Sequence, residues 1–419
     1  MILFAIFILL VLLYAVVSKL VDRSILTAPI LFTAAGMAAF LFRPEYGELG
    51  DTGQDVFLHV AELGLVLLLF SDANRIGLGM LKQVQNLVLR LLTTGMLLTI
   101  ALGALVAKLV FPELSIWEAG ILAAILAPTD AGLGQVIVTS PLVPAPIRQA
   151  LNVEAGLNDG LSVPFLLFFI ALAGAADAGS DARLVTYMWE QLGYGVLMGV
   201  AIGGFGGLLL GWALNRDWMT HAWQSLAVVT LPLLCLLTAE PIGASMFIAA
   251  FVAGIAVQFG YKDASKHSIA FSEDWGQLFN LSVFFLFDLL VARRWPEFTT
   301  MHLLYAVLSL TVVRMLPVAI ALMGAKLHRS TIIFMGWFGP RGLASIVLAL
   351  VYLQQEEYLL PNTTVIYAVM VTVLLSIFAH GLSAGPGINR YASGIHAPSA
   401  TDHATGIRGG PDHHDRKGT

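Results

Sequence analysis

The sequence has few charged residues and a single cysteine. Of its 419 residues only 12% are charged and 58% are hydrophobic, and the mean hydropathy is +0.83. Soluble domains carry roughly 25% charged residues, so this composition excludes a soluble globular protein and indicates a polytopic membrane protein. The lone Cys235 excludes an intramolecular disulfide framework and a thiolate metal cluster. Because it lies in an apolar run, we expect it to pack as a small hydrophobic residue.

Three further features are missing. The net charge of -5 is spread along the chain, so no basic patch predicts a nucleic-acid partner. No GxxxxGK[ST] loop is present to bind a nucleotide phosphate, and the sequence predicts no cofactor. The apolar run that reaches Val17 has neither a basic n-region nor a small-residue cleavage site, so we expect a first membrane span rather than a removable signal peptide.

Apolar runs of about 17 to 25 residues, the length that a helix needs to cross a bilayer, predict an all-α membrane protein with about thirteen transmembrane helices. The expected spans are 2–18, 25–42, 56–73, 85–111, 116–139, 147–175, 187–213, 222–239, 242–260, 275–292, 301–324, 330–353 and 363–384. Thirteen spans can be divided into two groups of six with one span between them. This division predicts two inverted six-helix repeats joined by a linking helix.

Two spans at matching positions in these repeats are interrupted. The fifth contains Pro128 and the twelfth contains Gly339-Pro340, residues that free backbone groups from helical hydrogen bonds. Such a pair is a sequence indicator of a transporter site. One break carries Asp130 and the other Arg341, so crossed broken helices would place opposite charges against opposed helix dipoles. The alternative is that both prolines are simple kinks and the charges face water.

The distribution of basic residues predicts the orientation. Loops after odd-numbered spans hold ten Lys and Arg residues, and loops after even-numbered spans hold five. Because cytoplasmic loops are enriched in Lys and Arg, we expect the amino terminus outside the cell membrane and the carboxyl terminus in the cytoplasm. Residues 386–419 are polar and contain four histidines, which predicts a disordered cytoplasmic tail. Metal binding or pH sensing by these histidines stays open.

The sixth span carries two acids within an otherwise apolar helix, and ionisable groups at membrane depth indicate an ion or substrate pathway. Glu154 and Asn158 are four residues apart and share a helix face, whereas Asp159 is turned by about 100° from Asn158. Buried charge is normally paired, and the apolar eleventh span contains Arg314. We therefore predict a structural ion pair between Glu154 and Arg314; the alternative for Glu154 is a solvated charge near a helix end.

The remaining polar groups predict a site for a proton or a small cation. Asp159 and Asp130, with Asn158 and Thr129, are expected to line it. A carboxylate away from water resists ionisation, so it can hold a proton or a metal ion. Carboxylate, hydroxyl and amide oxygens, with backbone carbonyls freed at Pro128, suit a hard ion such as sodium. Competition between the two occupants, combined with alternating access, is sufficient to couple their opposite fluxes.

The charges of this region predict the stoichiometry. Three carboxylates, Asp130, Glu154 and Asp159, stand against two guanidinium groups, Arg314 and Arg341, which leaves one negative charge. One proton or one sodium ion neutralises it, so we expect an electroneutral one-for-one exchange.

The sequence contains two further acids in or at the end of apolar spans, Asp72 and Asp288. Asp72, at the cytoplasmic end of the third span, either attracts cations on their way in or is a plain interfacial charge. Asp288 lies deep in the tenth span, and the sequence assigns it no role.

With these residues the sequence resembles the sodium/proton exchangers of the monovalent cation:proton antiporter-1 family, of the NhaP type. The similarity covers about residues 5–385. Its most specific parts are Thr129-Asp130, Glu154, Gly156-Leu157-Asn158-Asp159-Gly160, Arg314 and Gly339-Pro340-Arg341-Gly342. Members of that family are thirteen-span homodimers with a dimerisation domain and a mobile six-helix core. The resemblance implies a transmembrane domain over 1–385, with core helices at about 85–175 and 301–384 and dimerisation helices at about 2–73 and 187–292.

The resemblance also implies residue roles. Asp159 would be the main carrier of ion and proton, and Asp130 and Thr129 would help to form the site. The Asn158-Asp159 pair resembles the electroneutral branch rather than the Asp-Asp pair of electrogenic relatives. Two positions depart from the family pattern, since Ala131 replaces a common proline and Ala155 a common serine. Losing the serine hydroxyl removes a potential sodium ligand, so potassium and lithium stay open.

Two functions of other classes compete with antiport. An intramembrane aspartyl protease would use Asp130 and Asp159 as two acids that share a proton, but Asn158 and the arginines have no role in it. A cation channel with an acidic filter would not need inverted broken helices.

Overall fold

The structure, a computed structural model, describes residues 2–21, 24, 26–47, 50–75, 78–178, 182–261, 266–354 and 361–396. Within these ranges the chain is helical and contains no strand. The α-helices are α1 (Ile2–Val21), α2 (Ala28–Phe42), α3 (Gly50–Arg75), α4 (Leu78–Arg90), α5 (Met96–Val110), α6 (Ile116–Ile125), α7 (Gln135–Thr139), α8 (Ala145–Ala178), α9 (Ala182–Asn215), α10 (His221–Ala239), α11 (Met246–Ala256), α12 (Lys266–Arg294), α13 (Thr300–Leu308), α14 (Arg314–Ala321), α15 (Arg329–Trp337), α16 (Leu343–Leu353) and α17 (Thr363–His396).

Among the described residues, nine helical stretches are long and apolar enough to cross a membrane. Four shorter apolar helices lie at 28–42, 116–125, 246–259 and 343–353. Each predicted span coincides with one helix or with a consecutive pair. The all-α polytopic architecture is therefore confirmed, while the count of thirteen crossings stays a prediction.

Both predicted breaks are present. The helix α6 starts at a capping box, in which Ser115 and Glu118 each bond to the backbone N–H of the other, and it ends at Ile125. Residues 126–134 are not helical before α7 begins. Likewise α15 ends at Trp337, and α16 begins only at Leu343. The helices α6 and α16 pack against each other and against α8, so the two breaks meet inside the bundle.

Two π-helical turns, which were not predicted from the sequence, interrupt the fourth and eleventh spans. They lie at Leu91–Gly95 and Ser309–Val313, which are matching positions in the two proposed repeats. A π-helical turn rotates the residues that follow it relative to a continuous α-helix, and such turns are frequent at functional sites. The second one is followed directly by Arg314.

The predicted start of the disordered tail is wrong, because α17 continues through Pro386 to His396. This last part of α17 packs on the amino-terminal part of the second broken span. The ring of Tyr391 stacks on Phe334 with 4.2 Å between centroids, and its hydroxyl lies 3.0 Å from that of Thr331. Burial of Tyr391 explains why the helix continues through this polar part of the sequence. Residues 397–419 lie outside the described residues.

Glycines on one face of α9 let it approach α11 closely, as their four-residue spacing predicts. The aligned positions are Gly195, Gly199, Gly203, Gly207 and Gly211. A Cβ on Gly203 would overlap the backbone of Ala253, whereas a Cβ on the neighbouring Gly204 would meet nothing within 4 Å. The contact between the two helices therefore depends on the absence of side chains on one face only.

We expect Gly203→Ala to reduce the thermal stability of the detergent-purified protein, because the added methyl group must push α9 away from α11. Overpacking of this kind costs about 1–3 kcal/mol. Gly204→Ala is the matched control and should leave stability unchanged or raise it by up to about 1 kcal/mol through helix propensity. Thermal unfolding curves of the two variants measure the difference, and equal midpoints would contradict the proposed contact.

Candidate functional site

The two broken spans are linked by the backbone and side chain of Asp130. Its N–H donates to the carbonyl of Pro340 at 2.8 Å. Its carboxylate Oδ2 accepts a hydrogen bond from the N–H of Leu343 at 2.7 Å, and Oδ1 accepts one from the N–H of Leu133 at 2.9 Å. The carboxylate therefore caps the amino-terminal end of α16, where the helix dipole favours negative charge.

Arg341 makes the reciprocal contact. Its Nη1 donates to the carbonyl oxygens of Ala127 and Pro128, both at 3.0 Å, and the residue is completely buried. These carbonyls follow the carboxyl-terminal end of α6, which favours a cation. Each break thus supplies the charge that stabilises the helix end of the other, which is the arrangement that the sequence predicted for crossed helices.

Glycine at two positions makes this approach feasible. A Cβ on Gly342 would overlap the Asp130 carboxylate, and a Cβ on Gly339 would overlap the guanidinium of Arg314. Any larger residue at either position must displace a buried charged group. The Gly-Pro-Arg-Gly sequence of the second break therefore has a steric explanation in this structure.

Thr129 and Asn158 hold each other through two hydrogen bonds. The N–H of Thr129 donates to Asn158 Oδ1 at 3.0 Å, and Asn158 Nδ2 donates to the Thr129 hydroxyl oxygen at 2.8 Å. Both residues are buried. The pair ties the first break to α8, and the Thr129 oxygen retains a lone pair for a further ligand.

Glu154 and Arg314 are neighbours, with Arg314 Nη2 2.7 Å from Glu154 Oε1. The two residues are 2% and 4% exposed. Removal of either partner would leave an uncompensated buried charge, which costs about 3–5 kcal/mol. The pair connects α8 to the π-helical turn before α14.

Asp159 lies at a cavity of about 400 Å³ that Asp130 and Asp72 also line. The Asp72 side chain lies beside Gly156, where a Cβ would come within 2.8 Å of it. Asp159 is half-buried, and its Oδ1 is buried without a hydrogen-bond partner among the described residues. The cavity extends to Arg148, near the start of α8. Asp159, which the family resemblance implies to be the main carrier, thus has a carboxylate oxygen without a hydrogen bond, whereas both oxygens of Asp130 accept one.

Two polar residues of α17 bond to backbone groups of the second break, and they were not predicted from the sequence. The Ser376 hydroxyl oxygen accepts from the N–H of Arg341 at 2.6 Å and lies 3.1 Å from His380 Nδ1. His380 Nε2 lies 2.9 Å from the carbonyl of Trp337. His380 Nδ1 also lies 3.0 Å from the Ser376 carbonyl oxygen. Together these side chains replace helical hydrogen bonds lost at the break. Their four-residue spacing in an apolar span was the available signal.

Asp288 does not belong to this site. It is completely buried on α12 beside Thr33 of α2, and it does not line the cavity. Its neighbours Phe285 and Leu289 belong to the apolar cluster between these two helices.

Three comparisons relate the chain to known proteins. A profile of the family described as sodium/hydrogen exchanger, transmembrane, matches residues 6–389. The chain is 27% identical over 266 residues to a probable Na(+)/H(+) antiporter of Schizosaccharomyces pombe, covering 57% of this chain and 34% of the relative. It is 26% identical over 229 residues to the K(+)/H(+) antiporter NhaP2 of a Shewanella strain, covering 54% and 38%. The chain thus spans about a third of the length of these curated relatives.

The fold resembles a solved structure of the sodium proton antiporter MjNhaP1 from Methanocaldococcus jannaschii. The TM-score is 0.74 at 20% sequence identity, over 93% of this chain and 97% of that one. At this identity the similarity establishes the fold.

We expect Gly342→Ala to destabilise the protein, because the methyl group displaces the Asp130 carboxylate from the end of α16. Loss of a buried hydrogen bond to a charged group costs about 1.5–3 kcal/mol. Gly134→Ala, in the first break, is the control, since its Cβ would meet only ordinary contacts at 3.5 Å. Thermal unfolding in detergent compares the variants. An equal loss of stability in both would contradict the steric explanation for Gly342.

Proposed function

Because the chain belongs to the family of transmembrane sodium/hydrogen exchangers, we propose that it is a secondary antiporter that exchanges a monovalent cation, in the first place sodium, for protons. Its multi-pass helices are proposed to lie in the cell membrane with the amino terminus outside. The cavity beside Asp159 extends toward the loop between α7 and α8, which the basic-residue distribution assigns to the cytoplasm. The cavity would then be the cytoplasmic access path of the ions.

The observation that carries the proposal is that Asp159 lines the cavity while one of its carboxylate oxygens has no hydrogen-bond partner in the part of the chain that the structure describes. A buried polar atom without a partner costs free energy unless a ligand occupies it. A proton or a cation would satisfy this oxygen, and only one of them would occupy the site at a time. Exclusive occupancy is the property that alternating access needs for coupled exchange.

Asp130, Thr129 and Asn158 are proposed to shape the site around Asp159. Both carboxylate oxygens of Asp130 already accept backbone hydrogen bonds, so we expect this carboxylate to stay at the start of α16 and to attract the cation into the cavity. Thr129 is held by Asn158, so its hydroxyl oxygen is oriented in advance for a ligand. We propose that Glu154 and Arg314 hold α8 against α14 and do not exchange ions. Asp72, which lines the same cavity beside Gly156, would attract cations into it.

Sodium is the preferred cation, and potassium is the second candidate. Ala155 borders a small cavity of about 20 Å³, which Thr129 and Glu154 also line. A space of this size accommodates about one water molecule, so a bound water would replace the serine hydroxyl that relatives commonly have here. The similarity to a K(+)/H(+) antiporter supports the potassium alternative.

We further propose a homodimer in which residues 2–73 and 187–292 form the dimerisation domain and residues 85–175 and 301–384 the mobile core. In support, only 6% of the most apolar window of α1 is buried, so this helix has an apolar surface for lipid or for a second subunit. The competing functions have less support. A protease would need Asp130 to share a proton with Asp159, yet Asp130 is engaged by two N–H groups.

Asp159→Asn is expected to abolish exchange, since an amide can neither bind a proton at neutral pH nor neutralise a cation. The assay monitors recovery of a pH-sensitive dye in everted vesicles when sodium, potassium or lithium chloride is added between pH 6 and 9. Asp288→Asn is the matched control, because it makes the same change at a buried acid away from the cavity, and it should retain exchange. If the wild-type protein leaves the proton gradient untouched with all three salts, the antiport proposal is wrong.

The charge balance predicts an electroneutral exchange. Three carboxylates and two guanidinium groups leave one negative charge, which one proton or one sodium ion neutralises. On a solid-supported membrane, a sodium jump should therefore produce no sustained transport current with the wild-type protein while dye recovery proceeds in vesicles. Asn158→Asp would add one carboxylate and should produce a current if it remains active. A wild-type current would contradict the one-for-one stoichiometry.

A further inference from the structure

One face of α12 contributes polar side chains to the cavity beside Asp159. Glu273, Gln277 and Asn280 follow one another at spacings of four and three residues, so they lie on one side of the helix. All three line the cavity. The helix packs mainly on α2 and α3, and it also contacts α16 of the second broken span. The cavity therefore has a polar wall opposite the carboxylates.

Asn280 is the innermost of these three residues. It is 5% exposed, and its Oδ1 is buried without a hydrogen-bond partner among the described residues. Its Nδ2 lies 3.1 Å from the position that a Cβ on Gly132 would occupy, and Asp130 Oδ1 lies at the same distance from that position. The missing side chain of Gly132 thus leaves a gap between the Asn280 amide and the Asp130 carboxylate.

Two other amides near the site, those of Gln277 and Asn158, have partners. Gln277 Nε2 donates to Gln135 Oε1 at 3.3 Å nearer the cavity mouth, and Asn158 is bonded to Thr129 at both ends of its amide. Buried side-chain oxygens usually accept at least one hydrogen bond, so the oxygen of Asn280 requires an explanation. Nδ2 lies toward the gap that separates Asn280 from Asp130, and rotation of the amide about χ2 would place the oxygen there instead. An acceptor oxygen at the cavity across from a carboxylate indicates a ligand with positive charge.

We propose that Asn280 is a cation ligand that helps to select the ion exchanged at Asp159. This inference rests on the proposed antiport and adds to it a residue from outside the two breaks. An amide oxygen is a neutral, hard ligand of the kind that replaces water around sodium or lithium. Because it is neutral, it leaves the charge balance unchanged and acts on affinity and on the preference among ions.

The test measures cation binding and exchange in Asn280→Ala. Binding to the purified protein is followed by the shift in thermal unfolding midpoint with sodium, lithium or potassium chloride, with choline chloride as the reference. Loss of one ligand oxygen should raise the apparent Kd and KM for sodium about tenfold, which corresponds to about 1.4 kcal/mol. The maximal exchange rate should stay within about twofold, and the ratio of lithium to sodium affinity should change.

Two variants serve as controls. Ser282→Ala removes a polar group from the same helix. The Ser282 hydroxyl donates to the Phe279 carbonyl, so its loss should leave cation affinity and ion preference unchanged. Asn280→Ser keeps a shorter oxygen ligand and should lie between the wild type and Asn280→Ala, which also provides a result if the alanine variant does not fold.

Three outcomes decide the inference. A tenfold loss of sodium affinity with an altered ion preference supports it. A lower maximal rate with unchanged affinities and ion preference would show a packing role and overturn it, leaving the antiport proposal intact. A wild-type protein that neither binds nor exchanges any of the three cations would overturn the antiport proposal itself.

Discussion

The structure depends on reciprocal capping between the two helix breaks. In a bilayer every backbone N–H and C=O must find a partner within the protein, so an interrupted span is stable only if something replaces its lost hydrogen bonds. Here Asp130 caps α16 and Arg341 caps the end of α6. Each group carries the charge that the opposing helix dipole favours. Ser376 and His380 provide the remaining bonds at the second break.

This constraint divides the acidic residues by function. Asp130 accepts the N–H of Leu343 at the start of α16 with one oxygen and the N–H of Leu133 in the first break with the other. Moving this carboxylate would leave both N–H groups without a partner, which favours a structural and electrostatic role for Asp130. Glu154 is likewise engaged, by Arg314. Asp159 has neither of these contacts, and one of its oxygens has no hydrogen-bond partner among the residues described. The proposal that Asp159 is the exchanging group is thus supported by the contacts that the neighbouring acids make.

The helices and the two breaks could be predicted from the sequence because both follow from local chemistry. Apolar length predicts a span, and Pro128 or Pro340 interrupts it. The sequence also predicted Asp130 as an ion-binding residue, which stays a prediction, but it did not predict that both oxygens of Asp130 accept backbone hydrogen bonds. The contact with Leu343 joins residues more than two hundred positions apart, and no local pattern contains it. The same holds for Asn280 and for the last turns of α17, whose helical structure depends on packing against α15.

The site separates two properties that a transporter must set independently. In the proposed mechanism its net charge, set by the carboxylates and guanidinium groups at and near the breaks, fixes how many protons balance one cation. The proposed neutral ligands, Thr129 and Asn280, would affect which cation binds without altering that count. A change among neutral residues such as Ala155 would then shift the ion preference and preserve the stoichiometry, whereas a carboxylate at position 158 would alter the stoichiometry. Related exchangers could in this way differ in their cation while they retain the same pair of crossed helices.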